Sequence, residues 1–273
     1  MNLPNLSTVS LSLEQGIADI HLNRPDKFNA MTEAMWQEIC QAFKWADTTP
    51  EVRVVILSGA GKNFCAGIDL ALLVGIQQHI AHPDGARSRE ALRRLILDMQ
   101  DCLSSVERCR KPVLAAIRGA CIGGAVDLVT CCDMRYAATD AVFSVREIDV
   151  GMVADVGTLQ RLPRLIGDGL MRELAYTGRN MDAEEAHRYG LVNQVYAHRE
   201  EMLADVMRIA HTIARRSPLA IRGTKEVLLY GRDHSVADGL RYIANWNAGM
   251  LSADDLMRSV MAGGKTDDLT YGD

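Results

Sequence analysis

The chain has 273 residues, 48% hydrophobic and 24% charged, with a formal net charge of −5. These proportions set aside disordered, collagen-like and coiled-coil classes, and they supply no general electrostatic drive towards nucleic acid or anionic membrane. The seven cysteines (Cys40, Cys65, Cys102, Cys109, Cys121, Cys131 and Cys132) are odd in number and lie in apolar segments, which reads as reduced, buried thiols rather than a disulfide framework or a zinc site.

No stretch reaches the roughly 18 uninterrupted apolar residues of a membrane span. The N-terminal "MNLPNLSTVSLSLEQG" has no basic n-region and no Arg-rich transit character, and "TYGD" is not a peroxisomal address. A cytoplasmic location without membrane attachment is the expectation from these features.

Period-two alternation over residues 9–22, turning at Gln15-Gly16, predicts a β-hairpin. Residues 32–45 place Met35, Ile39, Ala42 and Phe43, followed by Ala46, on one face of an amphipathic helix. "VRVVILSGAG" is a near-continuous β-branched run, the pattern of a strand buried on both faces. Residues 76–88 are irregular, and helical spacing returns over 89–109. "KPVLAAIRG" is a second buried strand, "CIGGAVDLVTCCD" a turn entering a helix, and "MRYAATDAVFSV" two short strands. This order argues for the α/β class with parallel pairing.

Beyond Val156 the chain reads as helical throughout. Asp182 and Glu185 stand at capping-box spacing with Gly190 as terminator. Ser217 caps a helix with Pro218 at its first position, and residues 235–251 form another.

Common catalytic loops are absent. "GAGKNF" has neither the third glycine of a dinucleotide loop nor Walker spacing, and there is no G-x-S-x-G elbow, H-E-x-x-H or metal-spaced histidine set. What remains is two glycine turns and three acids. Each turn, "NFCAGIDL" and "GACIGGAVDL", follows a buried strand. Two readings stand open here: ordinary strand-to-helix turns, or two converging backbone N–H groups that form an oxyanion hole. The acids are Asp127, Glu147 and Asp155, each among mostly apolar neighbours, a setting that raises a carboxyl pKa towards the range useful for proton transfer. The alternative is helix capping or pairing with Arg118, Arg135, Arg146 or Arg161. Asp127, with no adjacent cation in its segment, fits that alternative worst.

Four segments in order, "LNRPDKFNAM", "NFCAGIDL", "KPVLAAIRGACIGGAVDL" and "VGTLQRLPRLIG", resemble the enoyl-CoA hydratase/isomerase (crotonase) superfamily over about residues 9–195. The resemblance implies a spiral of β-β-α units (1–195) with a C-terminal helical trimerisation region (196–273), assembled as a homotrimer or homohexamer. It implies an acyl-CoA substrate, with no further cofactor, no metal and no nucleic-acid partner. The thioester oxygen is then held by the N–H groups of Ile68 and Gly124, and CoA by Asp26, Lys27, Phe28 and Ala66, with Lys27 and Lys62 as candidate phosphate cations.

Within the superfamily, the combination "GGAVDL", "VREIDVG" and "ADVGTLQRLP" is similar to the Δ3,5-Δ2,4-dienoyl-CoA isomerases, which carry this acid triplet. On that likeness Glu147 serves C2, Asp155 serves C6, and Asp127 tunes Glu147 or excludes water. A 2-enoyl-CoA hydratase and a non-catalytic CoA-binding protein of the same fold are the alternatives.

Overall fold

A computed structural model of the protein describes residues 3–263 and 269–273. Strands β1 (Val9–Glu14) and β2 (Ile17–Leu22) form the expected antiparallel hairpin, in register from Val9 opposite Leu22 to Glu14 opposite Ile17. Gln15 (φ 49°) and Gly16 (φ 81°) both adopt left-handed backbone, as a two-residue turn matched to strand twist requires. Helix α1 (Glu33–Thr48) is capped by Thr32 and buries Met35, Ile39, Ala42, Phe43 and Ala46, the face read from the sequence.

After β3 (Val54–Gly59) the structure departs from the expectation of an irregular segment at 76–88. Helix α2 (Leu70–His79) covers its first residues, and α3 (Gly85–Arg108) begins four positions before the expected residue 89. Asp69 and Asp84 cap these helices by accepting the N–H groups of Ala71 and Ala86 at 3.0 and 2.7 Å. The run "LALLVGIQQ" is too uniformly apolar at its start to show a helical face, which hid α2 from a periodicity argument.

The chain then winds through β4 (Val113–Ile117), β5 (Ala120–Ile122), α4 (Gly124–Thr130), β6 (Met134–Ala138) and β7 (Val142–Ser144). Short helices α5 (Thr158–Arg161) and α6 (Pro163–Ile166) lead to α7 (Asp168–Thr177), β8 (Met181–Asp182), α8 (Ala183–Arg188) and β9 (Gln194–Tyr196). The strands β8 and β9 correct the expectation of a wholly helical C-terminal half. Two or three residues are too few to show a period, and β9 owes its conformation to parallel pairing with β6. Asp182 does cap α8, accepting the Glu185 N–H at 2.7 Å.

The main sheet has the order β1-β2-β3-β4-β6-β9, parallel from β2 onwards, and β5-β7-β8 form a small second sheet. Every residue of β3 and β4 is buried, because both faces are covered. Val55, Leu57, Val113 and Ala115 face the core containing α1 and α4. Val54, Ile56, Leu114 and Ala116 face α9 (Arg199–Ala214), which contributes Met202, Val206 and Ala210.

Helix α10 (Pro218–Tyr230) is fastened to the sheet by Lys225. Its Nζ donates to Asp133 Oδ2 at 2.7 Å and to the Lys111 carbonyl at 3.1 Å. Lys225→Met is expected to lower stability in a denaturant titration by about 3 kcal/mol, the scale of breaking one side of a buried ion pair. Adding Asp133→Asn should restore part of it; an unchanged midpoint in the single variant would show that the pair does not hold α10. Helices α11 (Val236–Met250) and α12 (Ala253–Met261) bury no residue within the chain, and both present large apolar side chains outward, Val236 at 81% and Met261 at 80% exposure.

Candidate active site

The two glycine turns leave adjacent parallel strands and are stitched to each other. Cys65 and Cys121 form an isolated parallel bridge, with the Cys65 N–H donating to the Ala120 carbonyl at 2.8 Å and the Ile122 N–H to the Cys65 carbonyl at 3.1 Å. Asn63 Oδ1 adds a bond from the Ala120 N–H at 2.9 Å. Gly67 has φ 91°, and a Cβ there would lie 2.6 Å from the Ile122 carbonyl oxygen and 3.6 Å from the Gly124 nitrogen. Only a residue without a side chain allows this approach. Among the described residues, neither the Ile68 nor the Gly124 N–H donates to a protein acceptor. Two free donors thus stand on neighbouring turns at the carboxyl ends of parallel strands, the location where open α/β sheets bind ligands. Gly67→Ala is expected to move the turn, because both the positive φ and the Ile122 contact forbid a side chain there, and to abolish any catalysis that uses the two donors; measurable kcat near wild type would show that the approach is not needed.

The turn is held from the other side by Asn29, which sequence reasoning missed. Asn29 is fully buried at φ 55°, and its Nδ2 donates to the carbonyls of Ala60, Asn63 and Phe64 at 2.9, 2.9 and 3.1 Å while Oδ1 accepts the Arg24 N–H at 2.8 Å. The available signal was an Asn after a Pro-containing turn, a residue type that tolerates left-handed backbone. Cys65 Sγ accepts the Gly67 N–H at 3.3 Å and donates to the Asn29 carbonyl at 3.0 Å. Burial pushes this thiol up to about 12, so it remains a donor.

The four residues expected at CoA fall on two touching segments. Asp26 and Lys27 lie in a 3-10 turn (Pro25–Lys27) and Phe28 follows at φ 51°, 61% exposed; its carbonyl accepts the Ala66 N–H at 3.0 Å. A Cβ on Gly61 would come within 2.9 Å of Pro25 Cβ, so exposed Lys62 belongs to the loop lying on this turn.

The three acids converge. Asp127 is fully buried on α4; its Oδ1 accepts the Thr158 N–H at 2.5 Å, and its Oδ2 has no partner. Burial pushes its pKa up to about 6, opposed by the Thr158 bond and assisted by Asp155. Glu147 opens a 3-10 turn (Glu147–Val150), and a Cβ on Gly123, the residue before the free Gly124 N–H, would sit 3.2 Å from Glu147 Oε1. Its Oε2 is buried without a partner. Burial, then the Asp127 charge, pushes Glu147 up to about 7. Asp155 is half-buried, its pKa raised by burial, with its carbonyl fixed by Gln100 Nε2 at 2.6 Å. Such an arrangement can hold a proton at neutral pH and pass it between carboxyl groups and a carbon acid.

The arginines offered as structural partners for the acids divide. Arg146 pairs with Asp149 at 3.6 Å and Arg118 with Asp140 at 3.5 Å, and Arg135 spends its guanidinium on backbone carbonyls. None of these three neutralises the triplet; Arg161, paired with Glu107, is the one whose charge is felt by Asp127. Among the described residues no group of His, Cys, Asp or Glu is arranged to hold a metal ion, and no helix is long and apolar enough to cross a membrane.

The enoyl-CoA hydratase/isomerase family model matches residues 12–254. The chain is 48% identical over 255 residues to the mitochondrial Delta(3,5)-Delta(2,4)-dienoyl-CoA isomerase of Homo sapiens, covering 92% of this chain and 77% of the relative. It is 46% identical over 258 residues to the peroxisomal Delta(3,5)-Delta(2,4)-dienoyl-CoA isomerase of Arabidopsis thaliana, covering 94% and 93%. Among solved structures it is similar to an enoyl-CoA hydratase from Bacillus anthracis, with TM-score 0.87 and 31% identity over 97% of this chain and 99% of that one. The mitochondrial and peroxisomal relatives overturn the expectation of a cytoplasmic protein. That expectation rested on missing address signals, and a folded body of this kind carries no compartment information of its own.

Proposed function

The chain belongs to the enoyl-CoA hydratase/isomerase family, and from that membership together with its three converging acids we propose that it converts 3,5-dienoyl-CoA into 2,4-dienoyl-CoA. The observation that carries this reading is the third acid. Asp127 and Glu147 are enough for chemistry at one carbon, whereas Asp155 extends proton transfer to a second, distant one.

In the proposed mechanism the thioester oxygen accepts the N–H groups of Ile68 and Gly124, which stabilise negative charge as it develops there. Glu147, as carboxylate, takes a proton from C2, and the electron pair delocalises over the thioester oxygen, C2, C4 and C6. Asp155, as carboxylic acid, gives its proton to C6. The double bonds then lie at 2 and 4, Glu147 holds one proton more and Asp155 one fewer. The half-buried position of Asp155 supports recharging from solvent. Asp127 touches neither carbon; its buried charge raises the basicity of Glu147.

CoA is placed along Asp26, Lys27, Phe28 and Ala66, with Lys27 and Lys62 near the phosphates. A homotrimer or homohexamer is supported by the outward apolar side chains of α11 and α12, which have no cover within one chain. The core of 1–195 and the helical region of 196–273 divide the labour, with α9 joining the sheet.

The test is a pair of spectrophotometric assays. Growth of the conjugated 2,4-dienoyl thioester band from a 3,5-dienoyl-CoA, with little hydration of a 2-enoyl-CoA, is the expected result. Fast hydration with the dienoyl substrate untouched would make Asp127 and Glu147 a hydratase pair and overturn the reading.

A further inference from the structure

Asp127 is held by one residue of α5, and α5 is held by a charge network that reaches the C-terminal helices. Thr158 N–H meets Asp127 Oδ1 at 2.5 Å. The residue before it, Gly157, has φ 134°, and a Cβ there would fall within 2.0 Å of an Arg161 guanidinium nitrogen. The guanidinium therefore lies directly on the backbone that aims the Thr158 N–H. Arg161 is itself fixed, Nε to Glu107 Oε1 at 3.2 Å, and one terminal nitrogen to Glu107 Oε2 at 3.1 Å and Ser104 Oγ at 3.2 Å. Glu107 also pairs with Arg232, in the turn that follows α10. All three side chains line a cavity of about 930 Å³ between α10 and the body of the protein.

We propose that Arg161 is a positioning residue for Asp127, and that Glu107 and Arg232 make it the link through which the C-terminal helices set the charge state of the acid cluster. Two effects of Arg161 act on Asp127 in the same direction. Its weight on Gly157 keeps the Thr158 N–H on the carboxylate, and its positive charge favours the ionised form across a low-dielectric interior. Glu107 offsets that charge, and Arg232 offsets Glu107. Glu107→Gln keeps a side-chain oxygen to hold Arg161 over Gly157 but removes the negative charge, and so favours ionised Asp127. Removal of Arg232 lets Glu107 cancel Arg161 more fully and favours the protonated form.

The other ionisable groups facing Asp127 are Glu147 from its 3-10 turn, Asp155 from the loop before α5, Cys121 from β5 and Cys131 from α4 itself. None of these side chains is itself substituted below, and Cys131, which also feels Glu107, Arg161 and Arg232, stays a neutral thiol because burial pushes it up to about 12. The kinetic consequence rests on the isomerase reading, but the positioning does not.

The titration of Asp127 is followed by infrared difference spectroscopy of its carboxyl band, identified by its loss in Asp127→Asn, in the wild type, Glu107→Gln and Arg232→Gln. The expected result is a pair of opposite displacements of roughly half a pH unit, down for Glu107→Gln and up for Arg232→Gln. Arg161→Gln, where it folds, moves the midpoint further up. The acid limb of the kcat profile on a 3,5-dienoyl-CoA, set by Glu147, should move in the opposite order, because an ionised Asp127 raises Glu147. Midpoints unchanged in both network variants, or displaced in the same direction, would overturn the proposal. A wild type without isomerase activity would overturn only the functional reading, because the infrared titration is independent of turnover.

Discussion

Glu147→Gln is expected to lower kcat on a 3,5-dienoyl-CoA by about a thousandfold, with KM changed little, the scale of losing a positioned general base. The amide keeps the shape of the side chain beside Gly123 but cannot accept the C2 proton. It should therefore also abolish exchange of the C2 protons with D2O, the half-reaction that precedes delivery to C6. Retained exchange would remove Glu147 from the first step. In the wild type the kcat profile should be bell-shaped, rising as Glu147, pushed up to about 7, becomes the carboxylate and falling as Asp155, also raised by burial, loses the proton meant for C6, and the apparent midpoints belong to the coupled acids together.

The sign for stability is the opposite of that for activity. The folded-state values of Glu147 and Asp127 are raised above those of an unfolded chain, so the stability they contribute is full at acid pH and is lost as pH rises through about 6 to 7. Glu147→Gln should consequently melt above the wild type at pH 8.5, an advantage that shrinks as pH falls and is gone below about pH 4.

Asp155→Asn separates the two ends of the reaction. We expect kcat for isomerisation to fall by about two to four orders of magnitude, acyl-CoA affinity to stay near that of the wild type, and C2 proton exchange in D2O to continue, since Glu147 and the two N–H donors are untouched. Loss of both isomerisation and exchange would indicate that Asp155 supports Glu147 rather than C6, and a near-wild-type rate would exclude it from the mechanism. The contrast between the two variants is the informative result: one blocks the formation of the enolate, and the other lets it form and return.

Legibility in the sequence follows the range over which each interaction acts. The hairpin at Gln15-Gly16, the doubly buried strands β3 and β4, and the Asp182 cap depend on neighbours within a few residues, and they stand where the pattern puts them. The acids were visible because a carboxylate in an apolar run is costly to bury.

What was hidden depends on contacts that no local pattern encodes. Strand β9 exists through its pairing with β6, and Glu107 meets Arg161 and Arg232 across 54 and 125 positions of sequence. Asn29 was hidden differently: its side chain does the work of three separate loop contacts, but in the sequence it is one polar residue among several. The convergence of the glycine turns, open as a question of spacing, is a matter of strand order, because β3 and β4 are neighbours and carry their following turns to the same edge.

Gly67 carries one more consequence. The groups proposed to receive the thioester oxygen belong to the main chain, at Ile68 and Gly124, so no exchange of side chains other than to proline deletes either donor; otherwise only a change in the path of the turns does. The acids, by contrast, are side chains that a single codon can replace. A scaffold divided in this way can keep its means of stabilising an enolate while its proton-handling groups drift, and reactions that begin alike can then end at different carbons.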